Sequence, residues 1–221
     1  MYPILYEDND VLVVNKPAGI SMHPDAHRTE GTLIQEIEKE YPGAQLAHRL
    51  DKDTSGVLLV AKNQTAFEYC KDLFREHKVE KSYITLVVGE VKKDEGDIVL
   101  AITRSTKDFR KRVATPLKGT SDARAAETHF TVLKRLGGYT LLEVRPKTGR
   151  THQIRSHLSA IGHPVACDQL YGGKKYACPS GLGRQFLHAA SLAFPLPSGK
   201  RLEVKADLPD DLTMTLRDIA K

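Results

Sequence analysis

The stretch HRLDKDTSGVLLVAK (residues 48–62) joins a dense run of polar and charged side chains to an apolar strand. Such a run has two interpretations. Its Asp-Thr-Ser-Gly portion is typical of a solvated turn, but a loop braced by a rigid sheet is also where catalytic groups concentrate. In the second interpretation, Asp51 is a catalytic carboxylate that Arg49 and Thr54 orient through hydrogen bonds. These residues alone leave both interpretations open.

The apolar runs around this stretch predict the fold class. Several strand-like runs follow one another without an intervening helix, which favours an α+β fold with a mixed, largely antiparallel central sheet flanked by helices and loops. The hairpin across Gly137-Gly138 is the most secure local pairing. The predicted strands are Val11–Val14, Val57–Val60, Tyr83–Val88, Ile98–Ile102, Thr128–Leu133, Tyr139–Val144 and Leu202–Lys205.

Capping patterns and apolar spacing predict helices between these strands. A capping box of Thr32 and Gln35 begins one helix, and Pro42-Gly43 ends it. A second helix is predicted to start at a capping box of Thr65 and Glu68, and a third to start near Thr151 and end at Gly162. The fourth predicted helix lies at the end of the chain and carries Leu212, Leu216 and Ile219.

The composition narrows the class of protein. A chain of 221 residues with 40% hydrophobic residues suits one large domain or two tightly associated lobes. Three scattered cysteines are too few for a disulfide framework, which favours a reducing compartment. Without a membrane-spanning apolar run or a signal peptide, the cytoplasm is the expected location.

A basic stretch runs from Arg104 to Arg124. Against Asp108 and Asp122 it carries Arg104, Lys107, Arg110, Lys111, Arg112, Lys118 and Arg124. The net charge of +5 permits a polyanionic partner without requiring one. The stretch is therefore either a solvated charged hairpin or a surface that binds a polyanion.

Two further polar segments could carry chemistry. In PKTGRTHQIRSH (146–157), Arg150 and Arg155 are either surface charges or anion-binding groups near a helix start, with Thr151 as a plausible cap. In KSY (81–83), Tyr83 is either a core residue or an aromatic face for a nucleobase.

Other site classes lack their signatures. No P-loop, GxGxxG or GxSxG pattern occurs, and the histidines and cysteines near residue 160 form no CxxC or HExxH pair. A metal-dependent nuclease would need several convergent carboxylates, and the polar segments supply only Asp51 and Asp53. We therefore predict neither a metal site nor a cofactor.

Together, HRLDKDTSG, KSY, TGRTHQIRSH and NKPAG (15–19) resemble the RluA family of RNA pseudouridine synthases. The resemblance extends from about Tyr6 to Leu208. It implies a single pseudouridine synthase catalytic domain over residues 1–221 without an S4 RNA-binding domain. It also implies that residues 104–124 are an RNA-gripping insertion. Removing several of its charges should weaken RNA binding and flatten the salt dependence of that binding.

The same resemblance implies a function and a site. The expected reaction isomerises uridines in tRNA, rRNA or both, without a cofactor, after the base is flipped out of its stack. Asp51, Tyr83 and Arg150 are the expected catalytic residues. The expected substrate-binding residues are His48, Arg49, Thr54, Lys81, Arg110, Lys111, Arg112, Thr151, His152 and Arg155. The alternative is a non-catalytic RNA-binding protein of the same fold; a monomer is the default state.

Overall fold

The computed structural model describes residues 2–24, 30–116, 122–172 and 178–220. Its strands are β1 (Ile4–Glu7), β2 (Val11–Lys16), β3 (Gln45–Leu46), β4 (Ser55–Ala61), β5 (Glu80–Val88), β6 (Glu95–Arg104), β7 (Arg112–Thr115), β8 (Arg124–Leu136), β9 (Tyr139–Pro146), β10 (Leu187–Pro195) and β11 (Arg201–Lys205). Its helices are α1 (Leu33–Glu40), α2 (Gln64–Arg75), α3 (Gln153–Ala160) and α4 (Asp210–Ile219).

The chain forms two compact units, one comprising residues 1–81 with 189–207 and the other residues 82–188 with 208–221. In the first unit the strand order is β1-β2-β4-β10, with β3 paired to β4 and β11 paired to β10. The apolar runs of β2 and β4 are almost wholly buried. They pack with Cys70 and Leu73 of α2 and Phe194 of β10 into one hydrophobic cluster, whose burial stabilises the unit.

In the second unit the strand order is β5-β9-β8-β6-β7, and each of these neighbouring pairs is antiparallel. Its hydrophobic cluster contains Leu86 of β5, Leu212 of α4 and Phe186, which directly precedes β10. The α+β fold with a largely antiparallel sheet is thus confirmed. The predicted hairpin is also present, with Leu136 opposite Tyr139 and positive φ angles at Gly137 and Gly138.

The helix starts agree with the sequence in part. Helix α1 begins after Thr32, and Gln35 Oε1 accepts a hydrogen bond from the Thr32 backbone N–H, as predicted. The predicted start of α2 at Thr65 is wrong. The helix begins at Gln64 because Asn63 Oδ1 accepts the Ala66 N–H at 2.8 Å and so caps an earlier turn.

Helix α3 also differs at its start from the prediction. Its N-cap is His152, which has a φ of 56°, so Thr151 is not the cap. The ring makes no capping hydrogen bond to the helix. Instead, the side chain of Gln153, at the first helical position, accepts the backbone N–H of Arg150 at 3.0 Å.

Four strands were not predicted: β1, β3, β7 and β10. The most consequential is β7, which pairs with β6 from Ala101 opposite Thr115 to Arg104 opposite Arg112. Part of the basic stretch is therefore a β-hairpin. Lys118 lies outside the described residues.

Two cysteines are joined, which the sequence did not lead us to expect. Cys167 and Cys178 form a disulfide, with Cα atoms 4.6 Å apart, while Cys70 is free and buried. Cys167 adopts a left-handed backbone conformation, so the chain turns sharply there.

Among the described residues, no helix is long and apolar enough to cross a membrane, and no cluster of three or more His, Cys, Asp or Glu is placed to hold a metal ion.

Candidate functional site

The backbone around Asp51 forms a tight turn. Thr54 donates its backbone N–H to the Asp51 carbonyl oxygen at 3.1 Å, and Gly19 donates its N–H to the Lys52 carbonyl at 2.9 Å. Asp51 is partly buried, whereas Lys52 and Asp53 are exposed. Asp51 is therefore the less exposed of the two carboxylates in this turn.

Lys16 stabilises this turn from the interior of the protein through hydrogen bonds to its backbone. Its fully buried ammonium group donates hydrogen bonds to the carbonyl oxygens of Pro17 at 2.9 Å, Lys52 at 2.8 Å and Thr54 at 2.8 Å. A lysine can donate three hydrogen bonds, and a buried ammonium is tolerated only when it is paired in this way. The NKPAG motif alone does not indicate this role for Lys16. The available signal was a lone cation at the end of an apolar strand.

Glycine is required where the turn passes into β4. Gly56 has a φ of +115°, and a Cβ atom there would lie 2.1 Å from the Ala189 carbonyl oxygen of β10. No side chain fits against backbone at that distance. The Gly in HRLDKDTSG thus permits the close backbone approach that fixes the start of β4.

His48 anchors the other end of the same loop. Its Nε2 accepts the Leu59 backbone N–H at 3.0 Å, and its ring packs on Phe74 at 4.8 Å between centroids. Burial and the nearby positive charge of Lys81 lower the pKa of His48 to about 3. The imidazole is therefore neutral at pH 7, and its contacts are structural.

The remaining candidates of the first unit differ in exposure. Arg49 is exposed, and its charge, together with burial, lowers the pKa of His23. Thr54 is only 2% exposed, so its contribution lies within the turn. Burial lowers the pKa of Lys81 to about 8. Of these side chains, Arg49 is the most accessible to a ligand.

In the second unit, Tyr83 lies on β5 opposite Val144 of β9 and is 9% exposed. A tyrosine at this degree of burial has its ring fixed by the sheet. Such a ring can form one wall of a site without the entropy cost of ordering a mobile side chain.

The loop that carries Arg150 is organised by Gln153. The Gln153 Oε1 accepts the Thr148 hydroxyl at 2.7 Å and the Arg150 backbone N–H, and its Nε2 donates to the Glu127 carbonyl and to the Thr128 hydroxyl oxygen, both at 3.0 Å. Arg150 itself is exposed, and its Nε donates to the Ala125 carbonyl at 3.3 Å. The sequence alone does not identify Gln153 as the organising residue. Its position after an irregular loop was the only signal.

Three of the predicted substrate-binding residues, Arg112, His152 and Arg155, contact Tyr171. The Tyr171 hydroxyl accepts the Arg112 backbone N–H at 2.8 Å and lies 3.1 Å from His152 Nδ1. The Arg155 guanidinium lies over the Tyr171 ring, 5.1 Å from its centroid. Arg155 also forms a buried bidentate ion pair with Asp168, with N–O distances of 2.6 and 2.9 Å. Arg155 thus binds a carboxylate of its own chain, and sequence inspection missed both Tyr171 and Asp168.

The remaining predicted cations lie on the hairpin formed by β6 and β7. Arg110 is exposed and pairs with Asp108, while Lys111 and Arg112 are partly buried. Asp51, His48, Arg49, Thr54 and Lys81 belong to the first unit, and the other predicted site residues belong to the second.

Comparison with known proteins identifies the family. Residues 10–160 match the family described as RNA pseudouridylate synthase. An uncharacterised RNA pseudouridine synthase of Bacillus subtilis is 39% identical over 230 residues, which cover 99% of this chain and 73% of that protein. The ribosomal large subunit pseudouridine synthase C of Escherichia coli K12 is 34% identical over 98% of this chain and 69% of its own length.

A solved structure gives the same result. The human RNA pseudouridylate synthase domain containing 1 superposes with a TM-score of 0.81 at 30% identity, covering 97% of this chain and 87% of the human one. The likeness extends over almost the whole chain, so it includes both the Asp51 turn and the Arg150 loop. The chain therefore belongs to the RNA pseudouridylate synthase family.

Proposed function

We propose that this protein converts specific uridines of ribosomal RNA, transfer RNA or both into pseudouridine, with Asp51 as the catalytic carboxylate. The observation that carries the proposal is the turn 51–54, whose backbone is held by the buried Lys16 ammonium. A side chain on a braced turn keeps the orientation that catalysis requires. The relatives named for the ribosomal large subunit favour ribosomal RNA as the substrate.

Asp51 has two possible roles in this reaction. Its carboxylate either attacks C1′ of the ribose as a nucleophile or removes the proton at C2′, and each role requires the ionised form. Either step breaks the C1′–N1 bond and detaches the uracil from the ribose. The base then rotates and forms the C1′–C5 bond, and the C5 proton is lost to water as N1 gains a proton. We assign Arg150 the task of keeping Asp51 ionised and oriented, because a guanidinium binds a carboxylate in a defined geometry.

Tyr83 and Arg49 are assigned to the base and the RNA. A uridine within a helix must leave its stack to reach a carboxylate, and a rigid aromatic ring can hold the detached uracil by stacking. We assign the exposed Arg49 to the RNA around the vacated position, and Thr151 and the hairpin cations Arg110, Lys111 and Arg112 to the RNA backbone. His48, Thr54 and Arg155 act indirectly in this proposal, by holding the loops.

Residues 104–124 are proposed as an RNA-gripping element of a single catalytic domain. Five of the basic side chains, those from Arg104 to Arg112, lie along an ordered hairpin, which supports an extended electropositive contact. A monomer acting in the cytoplasm, where ribosomal and transfer RNA are both present, suits this substrate.

The direct test uses RNA labelled with tritium at uracil C5. Pseudouridine formation replaces the C5–H bond by the C5–C1′ bond, so tritium is released to water. With transcripts of large-subunit ribosomal RNA and with tRNA, we expect release by the wild type and a loss of about 10³-fold or more in Asp51→Asn. Asp53→Asn is the matched control, because Asp53 is an exposed carboxylate in the same turn. Full activity in Asp51→Asn would disprove the assignment.

A further inference from the structure

Phe109 projects from the tip of the hairpin between β6 and β7, and it is 82% exposed. Single exposed apolar residues are common and carry no meaning by themselves. Phe109 differs because of its setting. It is an aromatic side chain in a turn that is fixed by several hydrogen bonds and that also carries Lys107, Arg110 and Lys111.

The turn that presents Phe109 is ordered. The Ser105 hydroxyl oxygen accepts the backbone N–H groups of Lys107 and Asp108, both at 3.2 Å. Across the turn, Lys111 donates its N–H to the Asp108 carbonyl at 2.9 Å, and Ser105 donates to the Lys111 carbonyl at 3.2 Å. The backbone on both sides of Phe109 is therefore fixed before any ligand binds, which lowers the entropy cost of a contact there.

The base of the turn is attached to the body of its unit. Arg112 begins β7 and donates its backbone N–H to the Tyr171 hydroxyl, and its guanidinium donates to the Phe109 carbonyl at 3.3 Å. This chain of contacts links the tip to the residues that surround helix α3. The turn that carries Phe109 is thus attached to the body of its unit through Arg112.

The charge around Phe109 selects the partner. From residue 104 to residue 112 the chain carries five cations, Arg104, Lys107, Arg110, Lys111 and Arg112, against the single anion Asp108. Arg110 pairs with Asp108, and an apolar protein surface would offer no counter-charge to the other four cations. A polyanion without bases would leave the Phe109 ring in water. An unpaired stretch of RNA satisfies both, because its phosphates bind the cations and its bases offer flat faces for stacking.

We propose that Phe109 stacks on an unpaired base of the RNA substrate while the flanking cations bind the adjacent phosphates. The proposal rests on the proposed function, since it takes RNA as the substrate. It adds a recognition contact for a single-stranded or looped region, separate from the uridine that is modified.

The chain contains no tryptophan, so Phe109→Trp introduces a single indole reporter at this position. We expect a single-stranded oligouridylate to quench its fluorescence, because a stacked base lies against the ring. Heparin supplies polyanionic charge without bases and should leave the emission nearly unchanged. Equal responses to both polymers, or no response to the oligouridylate, would overturn the proposal.

Affinity for the same oligouridylate provides the second readout. Phe109→Ala and Phe109→Leu should each bind about 5- to 150-fold more weakly than the wild type, since both lack an aromatic face. Val99→Ala is the matched control, because Val99 is 70% exposed on β6 of the same hairpin. If Phe109→Leu binds like the wild type, the ring does not stack on a base, and packing against a protein partner explains its exposure better.

These measurements are independent of catalysis. Binding and quenching do not require turnover, so they can succeed or fail whether or not tritium is released from labelled RNA. Thermal unfolding of each variant verifies the fold, and an exposed position should leave the Tm unchanged.

Discussion

Lys16 illustrates how one buried side chain can support the turn that carries Asp51. Its ammonium replaces the water that the carbonyls of Pro17, Lys52 and Thr54 would otherwise bind. A neutral side chain of similar length would remove all three hydrogen bonds and leave the Lys52 carbonyl only the Gly19 N–H. Each buried polar group that loses its partner costs about 1–3 kcal/mol.

We therefore expect Lys16→Met to lower the free energy of unfolding by about 2–4 kcal/mol and to reduce activity through a loosened turn. Urea denaturation and tritium release would measure the two effects. Lys52→Met is the control, because that side chain is exposed in the same turn and should unfold like the wild type. If Lys16→Met retains both stability and activity, the turn does not depend on this lysine.

His48 makes stability depend on pH. Its pKa is lowered from 6.5 to about 3 in the folded chain, so between these values the unfolded chain binds a proton that the folded chain does not. The contribution is fully present above pH 6.5 and is lost progressively as the pH falls toward 3.

The test compares the wild type with His48→Gln, whose amide oxygen can accept the same Leu59 N–H but does not titrate. From pH 6.5 to pH 4, the wild type should lose stability faster than the variant, by on the order of 1 kcal/mol per pH unit. Parallel pH profiles in urea denaturation would show that His48 is not the group responsible.

At the scale of elements, helix α3 and the segment after Cys167 are joined by Arg155 and Asp168. Both side chains are buried, and Asp168 also accepts the backbone N–H groups of Leu170 and Tyr171 at 3.0 Å. The pair therefore orders the chain that carries Tyr171. An arginine available to bind RNA would be exposed to solvent, whereas Arg155 is buried and paired with Asp168.

A double-mutant cycle tests this structural role. Arg155→Met should cost about 3–5 kcal/mol of stability because it leaves the Asp168 carboxylate buried and unpaired. Arg155→Met combined with Asp168→Leu should recover part of that loss, since no unpaired charge remains. If instead Arg155→Met weakens RNA binding strongly without changing the urea midpoint, Arg155 contacts RNA directly.

At the scale of the whole molecule, the Cys167–Cys178 disulfide constrains the unfolded chain. It closes a loop over a sequence separation of 11 residues, and the loss of chain entropy on closing a loop of this length stabilises the fold by about 3 kcal/mol. We expect dithiothreitol to lower the Tm by roughly 6–12 °C.

The control for this prediction is the double variant Cys167→Ser with Cys178→Ser. Its Tm should equal that of the reduced wild type and should not respond to dithiothreitol. Cys70→Ala separates any effect of the buried free thiol. An identical Tm for the oxidised and reduced wild type would show that the bridge does not contribute to stability.

Local sequence predicted the elements well wherever a strong local signal existed. The apolar runs of β2 and β4, the Gly137-Gly138 hairpin and the Thr32 helix start are all where the sequence predicted them. Predictions failed where a side chain two residues away competed, as Asn63 does at the start of α2. They also failed for short or charged strands such as β7, which pairing with β6 stabilises although its own sequence has little strand character.

The sequence by itself determined the α+β class and the family, because the apolar runs and the family motifs, HRLDKDTSG among them, are contiguous residues or have fixed spacings. Only the tertiary structure decided what surrounds those motifs. The Lys16 ammonium binds carbonyl oxygens of the Asp51 turn that lie 36 and 38 positions away in the sequence. The Arg155 guanidinium binds the Asp168 carboxylate, which lies 13 positions away. No local pattern encodes such contacts, since they depend on how the folded backbone brings buried polar groups together, away from water.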